Sequence, residues 1–291
     1  MDFEYLSKIK GLVSLYTNKK STNFLEGEFR SIFRGRSLDF DELREYTYGD
    51  NIKDIDWKSS SRTGKILTRQ YVAEKKHNIL MICDTGTKMQ GDTSTGEAKA
   101  AVALSALGTI AFFTDRHGDD FAMLQSTERG YDFSMFRGGA VHFETIMNNY
   151  RINAEKKGMH TLDQIMDYVS DRIHRKMVVF IITDIDGISR IDDRLLRKIT
   201  VDNDLLVVNV EDAFLTGSTV FDLDAGSYED DFVLGSSVLY EAERAKRKEI
   251  MDTAETLFKQ YHVAVVNVSS ESEIVEKTIE LIERHNHENF G

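Results

Sequence analysis

After residue 76, short apolar runs alternate with longer amphipathic or charged stretches. The runs are continuous rather than alternating, which is typical of strands buried on both faces of a parallel sheet. Strands are predicted over residues 78–83, 121–124, 131–136, 177–182, 205–210 and 263–268, and helices over residues 96–114, 140–150, 162–173 and 238–261 and at the C terminus. This alternation predicts an α/β domain with a doubly wound, mostly parallel sheet and helices on both faces.

The stretch from Gly35 to Glu74 has a different pattern, with charged, aromatic and glycine residues closely mixed. Turn residues predict turns over residues 48–51 and 61–65, and a strand follows over residues 66–72. One interpretation is a β-rich element with Tyr46 and Trp57 in its core. The other is a recognition surface, and both can hold together. The residues of this predicted surface are Arg44, Asp50, Asp56, Trp57 and Arg62. The charged residues near position 75 place the domain boundary there, giving domains 1–75 and 76–291.

Composition narrows the function classes. A formal net charge of −12 and an isoelectric point near 5.2 argue against a nucleic-acid partner, since binding to phosphate backbones depends on clustered lysine and arginine. The lone Cys83 cannot form an intramolecular disulfide and lies in an apolar run, so we expect a buried thiol in a reducing cytoplasm. No signal peptide is visible, and the longest apolar run, residues 100–113, is too short to cross a bilayer.

The common signatures of catalysis are missing from the sequence. It contains no Gly-x-Ser-x-Gly nucleophile turn, no phosphate-binding loop and no Gly-x-Gly-x-x-Gly dinucleotide turn. Polar residues do follow two of the predicted buried strands, and in doubly wound folds ligands bind outside the carboxyl ends of the strands. We name these residues the crest: Asp84, Thr85, Thr87, Lys88, Asp184 and Asp186.

A motif of spaced residues indicates which family the chain resembles. It reads Phe40-x-x-Leu43-Arg44-x-Tyr46-x-x-Gly49-Asp50-x-x-x-x-Ile55-Asp56-Trp57, followed by Arg62, Gly64 and a strand that ends at Asp84. This motif, and the order of elements to near the C terminus, resemble the bacterial family called domain of unknown function 58. The resemblance implies a von Willebrand factor A-like (Rossmann-like) domain preceded by a β-rich N-terminal element, and a MoxR-type AAA+ ATPase as partner. Many longer relatives carry membrane helices near the N terminus, so the chain resembles the short branch without them.

The resemblance also implies a metal-ion-dependent adhesion site, built from Asp-x-Ser-x-Ser, a loop threonine and a later aspartate. In this chain Gly86 and Lys88 replace the two serines, and Thr161 and Met159 align about equally well with the threonine. Asp84 and Asp184 carry over as metal ligands, with Asp186 nearby. No cofactor is therefore predicted, and magnesium is doubtful, because Mg²⁺ requires hard oxygen ligands.

Three hypotheses for Lys88 remain open. Its ammonium replaces the metal and neutralises Asp84 and Asp184. Alternatively, Thr85 or Thr87 completes a weakened metal site. In the third, Lys88 faces solvent and has no such role.

Two functions follow from these observations. The first is a non-catalytic adaptor that contacts other proteins, with a MoxR-type ATPase and its clients as partners implied by the resemblance. The alternative is a metal-dependent hydrolase or nuclease that uses Asp84, Asp184 and Asp186 as carboxylate ligands.

Overall fold

The computed structural model describes residues 3–17, 42–48, 50, 52, 55–70, 76–156, 158–213, 220–222, 227–229 and 237–290. The chain divides into two compact units. The small unit is Phe33–Lys76, and the large unit is formed by Met1–Ile32 together with His77–Gly291.

A six-stranded sheet forms the centre of the large unit. Its strands are β3 (Asn78–Cys83), β4 (Asp120–Thr127), β5 (Gly130–Phe133), β6 (Val178–Thr183), β7 (Asp204–Val210) and β10 (Ala264–Val268). Their order in the sheet is β10-β7-β6-β3-β4-β5, and all neighbours are parallel except the edge strand β5, which pairs antiparallel with β4. Counted within the sheet, this order is 3-2-1-4-5-6 read from the β5 edge, which is a doubly wound order. The predicted α/β fold class, with a doubly wound and mostly parallel sheet, is confirmed.

Helices cover both faces of this sheet. The helices of the large unit are α1 (Glu4–Thr17), α3 (Lys99–His117), α4 (Ala140–Ala154), α5 (Leu162–Arg172), α6 (Ile185–Ser189), α7 (Asp193–Thr200), α8 (Ser237–Gln260) and α9 (Ile274–Phe290). On one face α3 contacts α4 and α9, and on the other α5, α7 and α8 share a buried core with the strands. A short antiparallel pair, β8 (Val220–Asp222) with β9 (Ser227–Glu229), lies between β7 and α8 in the chain.

The long predicted elements are present, with ends shifted by a few residues. The helix predicted over residues 96–114 begins at Lys99 and ends at His117, where Gly118 adopts the positive φ that ends many helices. The short helices α6 and α7 were not predicted, because their five and eight residues are too few for a clear period. Cys83 is buried as predicted. Among the described residues, no helix has both the length and the apolar character that crossing a bilayer requires.

The N-terminal boundary needs a correction. We predicted a first domain over residues 1–75, but α1 packs against α3, α4 and α9 of the large unit. Its apolar side chains Ile9 and Val13 are buried there, and a carboxylate oxygen of Glu144 in α4 accepts a 2.8 Å hydrogen bond from the Leu6 amide. The reason is physical: α1 is amphipathic and buries its apolar face against the helical layer.

The small unit contains β1 (Glu42–Glu45), α2 (Trp57–Thr63) and β2 (Leu67–Gln70), with the two strands antiparallel. The turn predicted over residues 61–65 is present only at residues 64 and 65, because residues 61–63 end α2. Asp56 caps the start of this helix by accepting from the Ser59 amide at 3.0 Å, and Gly64 ends it at φ +71°. The prediction that Trp57 belongs to a core is also wrong, because this side chain is 65% exposed.

The turn predicted over residues 48–51 is supported by a hydrogen bond from the Asp50 amide to the Thr47 carbonyl at 3.0 Å. Gly49 and Asn51, which also belong to that prediction, lie outside the described residues. So do residues 71 and 72 of the predicted strand.

Candidate functional site

The crest lies where the strand order of the sheet reverses, between β3 and β6. β3 and β6 are neighbours in the sheet and run parallel, so Asp84, which follows β3, and Asp184, which follows β6, emerge at the same edge. In doubly wound folds this position forms a crevice in which ligands bind. The two aspartates that the sequence placed at strand ends are therefore brought together.

Both carboxylate oxygens of Asp84 accept hydrogen bonds. Oδ1 accepts from the Gly86 amide at 2.8 Å, and Oδ2 accepts from the Thr183 hydroxyl at 2.7 Å. Asp84 is buried. Burial and then the nearby charge of Asp184 raise the pKa of Asp84 to about 6, against the lowering effect of these two hydrogen bonds. The folded protein thus binds a proton at Asp84 more tightly than an exposed aspartate would.

Asp184 combines two structural tasks. Its Oδ1 caps α6 by accepting from the amides of Asp186 and Gly187 at 3.0 and 3.2 Å. Its Oδ2 accepts from the Lys99 ammonium at 2.8 Å. The Lys99 ammonium also pairs with Asp212, which follows β7. Lys99, the first residue of α3, thus links the ends of β6 and β7.

Opposing effects set the pKa values in this cluster. Burial lowers the pKa of Lys99, but the negative charges of Asp184 and Asp212 outweigh it, so the net pKa is raised. The pKa of Asp212 is raised, because burial and the charge of Asp184 outweigh the attraction of Lys99. Lys99 therefore keeps its positive charge although its side chain is only 2% exposed.

Lys88 does not have the contacts that we predicted. Its ammonium binds Asp186 Oδ1 at 2.6 Å, while Asp186 Oδ2 accepts from the Arg190 guanidinium at 3.2 Å. Burial raises the pKa of Asp186, but the hydrogen bond and charge of Lys88, together with Arg190, outweigh it and the net pKa is lowered. The hypothesis that Lys88 neutralises Asp84 and Asp184 is therefore wrong. The lysine that binds Asp184 is Lys99, the first residue of α3.

The threonines of the crest and the candidate loop threonine lie in different surroundings. The Thr85 hydroxyl is buried and donates to the Ser126 carbonyl at 2.7 Å, whereas Thr87 begins a short 3₁₀ helix, Thr87–Gln90, and is half-buried. Thr161 forms a capping box with Gln164 at the start of α5, and Met159 is exposed. The Thr85 hydroxyl therefore already has an intramolecular partner, and the Thr161 amide donates to the Gln164 side chain at 3.1 Å.

The donor set at the crest does not fit a magnesium site of the adhesion type. Gly86 supplies no side-chain oxygen, Lys88 supplies a cation, and all four carboxylate oxygens of Asp84 and Asp184 accept hydrogen bonds from protein groups. Over the described part of the chain, no group of three or more histidine, cysteine or acidic side chains is arranged to hold a metal ion. A bound Mg²⁺ would have to compete with these internal partners for its oxygen ligands.

The predicted recognition residues of the small unit fall into two groups. Arg44 and Asp50 pair at 2.5 Å, and Asp50 also accepts from the Thr47 amide, so these two hold the turn after β1. Asp56 caps α2, as described above. Trp57 and Arg62, at the start and in the last turn of α2, are both exposed. Arg44, Asp50 and Asp56 thus shape the unit, and Trp57 and Arg62 remain available for contacts.

Sequence reasoning missed the central cation and one of its partners. Lys99 immediately precedes the apolar run of residues 100–113, and a lysine next to so apolar a stretch is a signal of a buried ion pair. Asp212 comes two residues after an apolar strand, as Asp84 and Asp184 follow theirs directly. Asp212 could therefore have been predicted from its position after a strand, as those two aspartates were.

A pH-dependent stability follows from the environment of Asp84. Its pKa of about 6 when folded lies above the ordinary 3.8, so its stabilising contribution is complete below about pH 4 and is lost as the pH rises through about 6. We expect wild type to lose on the order of 3 kcal/mol of unfolding free energy relative to Asp84→Asn between pH 4 and pH 7.

Urea denaturation of both proteins across this pH range measures the difference. Other titrating groups, including Asp186 and Asp212, are shared by the two proteins and largely cancel. A difference that stays flat with pH would contradict the assigned environment of Asp84.

Solved structures with a similar arrangement were found at low sequence identity. BatB from Bacteroides thetaiotaomicron, a conserved hypothetical protein, is 10% identical with a TM-score of 0.42, and the match covers 72% of this chain and 98% of that one. A von Willebrand factor type A protein from Catenulispora acidiphila is 11% identical with a TM-score of 0.41, covering 74% of this chain and 43% of that one. At these values the likenesses say nothing about binding or activity.

Curated sequences add uncharacterized relatives from mycobacteria. The chain is 23% identical over 135 residues to the uncharacterized proteins Mb1516 of Mycobacterium bovis and Rv1480 of Mycobacterium tuberculosis. Each match covers 46% of this chain and 42% of the relative, so it spans less than half of the length of these proteins. The family model described as "Protein of unknown function DUF58" matches residues 42–216, which is more than half of the chain. The predicted resemblance is confirmed, and the chain belongs to the DUF58 family.

Proposed function

We propose that this protein is a non-catalytic adaptor of the cytoplasm, which binds a MoxR-type AAA+ ATPase and helps it to assemble or activate client proteins. The crest is then a degenerate metal-ion-dependent adhesion site. The ATPase partner follows from the family resemblance, and the non-catalytic role is argued from the crest.

The observation that carries the proposal is that two of the three acidic groups of the crest, Asp184 and Asp186, are neutralised from within the chain. Asp184 is paired with Lys99, and Asp186 is paired with Lys88 and Arg190. A carboxylate that serves as a metal ligand or general base needs an oxygen that is free to act on a water or a substrate. Because Asp184 and Asp186 each have a lysine partner, a fixed, non-catalytic role for the crest is favoured over a hydrolytic centre.

An exposed tryptophan supports a contact through the small unit. Trp57 is 65% exposed at the first position of α2, beside Lys58 and five residues before Arg62. Tryptophan and arginine are enriched among the residues that contribute most to protein interfaces. We therefore assign Trp57 as an anchor for the partner.

Affinity capture with the tagged protein from a lysate of its own organism, with and without Mg-ATP, tests for the ATPase. Direct titration of the purified ATPase then tests the anchor. Trp57→Ala should weaken binding at least about tenfold, whereas Leu15→Ala, an equally exposed apolar side chain on α1, should leave the affinity unchanged.

Retention of no ATPase in either nucleotide state would overturn the partner. Equal effects of the two substitutions would overturn the anchor. A hydrolytic activity that is abolished by chelation and by Asp84→Ala would instead favour the metal-dependent hydrolase or nuclease with Asp84, Asp184 and Asp186.

A further inference from the structure

A single buried ammonium lies among the acids at the carboxyl ends of three neighbouring strands. The Lys99 side chain is 2% exposed and Asp184 is 1% exposed, and their charged atoms are 2.8 Å apart. Asp212, at 19% exposure, is the second partner of the same ammonium. The three acids Asp84, Asp184 and Asp212 follow β3, β6 and β7, which are adjacent in the sheet.

Such a cluster requires a positive charge. Carboxylates that are close together in a buried place repel one another, and a buried charge without a partner is costly. The nearby guanidinium of Arg247 hydrogen-bonds the Asp212 and Ala213 carbonyls and Glu243, and Lys88 and Arg190 bind Asp186. Lys99 is thus the cation that contacts the carboxylates of both Asp184 and Asp212.

The position of Lys99 in the fold fixes this cation permanently. It is the first residue of α3, and its backbone amide donates to the Gly91 carbonyl at 2.9 Å. The following residues of α3, including Val102, Ala103 and Ala106, are fully buried. A metal ion can dissociate or be removed by a chelator, but an ammonium on a packed helix cannot.

We propose that Lys99 is a tethered cation that takes the place of a divalent metal at the crest and makes the folded state of this protein independent of Mg²⁺. The inference rests on the proposed degenerate adhesion site and adds the group that replaces its metal. It also predicts that removing the ammonium lets a divalent cation bind between Asp184 and Asp212, because the carboxylate oxygens that Lys99 contacts would then lack their cation.

Thermal unfolding of wild type and two Lys99 variants tests the proposal. The wild-type midpoint should change by less than about 1 °C between excess EDTA and millimolar MgCl₂, MnCl₂ or CaCl₂. Lys99→Ala should lower the midpoint in EDTA by about 5 °C or more, and one of the three cations should raise it again by about 3 °C or more. Lys99→Met fills the same space with an apolar chain, so we expect no cation response.

Lys88→Ala is the matched control, because it removes an ammonium from Asp186, which is more exposed than Asp184. It should produce no cation response. A gain with Lys88→Ala and none with Lys99→Ala would return the role to Lys88 and overturn the proposal.

Stabilisation of wild type by any of the three cations would overturn the proposal even if Lys99→Ala fails to fold. No partner protein enters these measurements, so their failure is distinguishable from failure of the proposed adaptor function.

Discussion

Asp184→Asn should lower the free energy of unfolding by about 3–5 kcal/mol, the cost expected for breaking a buried ion pair on one side. The asparagine oxygen can still cap α6, where Asp184 Oδ1 now accepts from two amides. The loss therefore reports on the charge that faces Lys99. Lys99 would remain buried and would keep Asp212 as an acidic partner.

Two further variants separate the contribution of the Asp184 charge from that of its helix cap. Asp184→Ala removes the cap as well, and should cost about 1 kcal/mol more than Asp184→Asn. In a double-mutant cycle, Lys99→Met combined with Asp184→Asn should cost less than the sum of the single changes, because neither charge is then left alone.

Chemical denaturation at neutral pH measures all of these free energies. Asp167→Asn is the control: Asp167 pairs with Arg194 and Lys198 on the surface, where ion pairs contribute about 0–1 kcal/mol. If Asp184→Asn cost no more than Asp167→Asn, the Lys99 pair would not be a stabilising element of the crest.

Gly187→Ala should lower the free energy of unfolding by about 2–3 kcal/mol, because the crest leaves no room for a methyl group at this position. A Cβ there would overlap the Thr183 hydroxyl oxygen and would lie 2.9 Å from Asp84 Oδ2 and 3.1 Å from Leu162 Cδ2. That hydroxyl also donates to Asp84, so it cannot rotate away without losing the bond. The glycine is what lets α6 approach the end of β3 closely.

Gly11→Ala is the matched control for the same chemical change. Gly11 lies within α1, and a Cβ there would meet nothing within 4 Å, so alanine should stabilise the helix by about 0.5–1 kcal/mol. Changing Thr183 to alanine first should reduce the cost of Gly187→Ala, since the overlapping atom is then gone. Equal effects of the two glycine substitutions would contradict the close approach at the crest.

The strands of the large unit were readable from the sequence because a strand covered on both faces needs apolar side chains at every position. β3 and β6 are of this kind: every residue of β6 is buried, and every residue of β3 except the first is buried. Helix α1 was not predicted, and the burial of its side chains Ile9 and Val13 is decided only when α3, α4 and α9 cover them. Likewise, Trp57 resembled a core residue by its type alone, and its exposure depends on how α2 lies in the small unit.

The α/β class, the family and the two aspartates at the strand ends could be predicted from the sequence, because each of these depends on local pattern or on position along the chain. Which cation binds these aspartates depends instead on how the helices pack. Lys88 lies four residues from Asp84 and was the obvious partner in sequence, yet it binds Asp186. Lys99 lies fifteen residues from Asp84, and the packing of α3 against the sheet brings its ammonium to Asp184 and Asp212. Charge pairing is decided by distance in space, and that distance exists only once the helices have packed on the sheet.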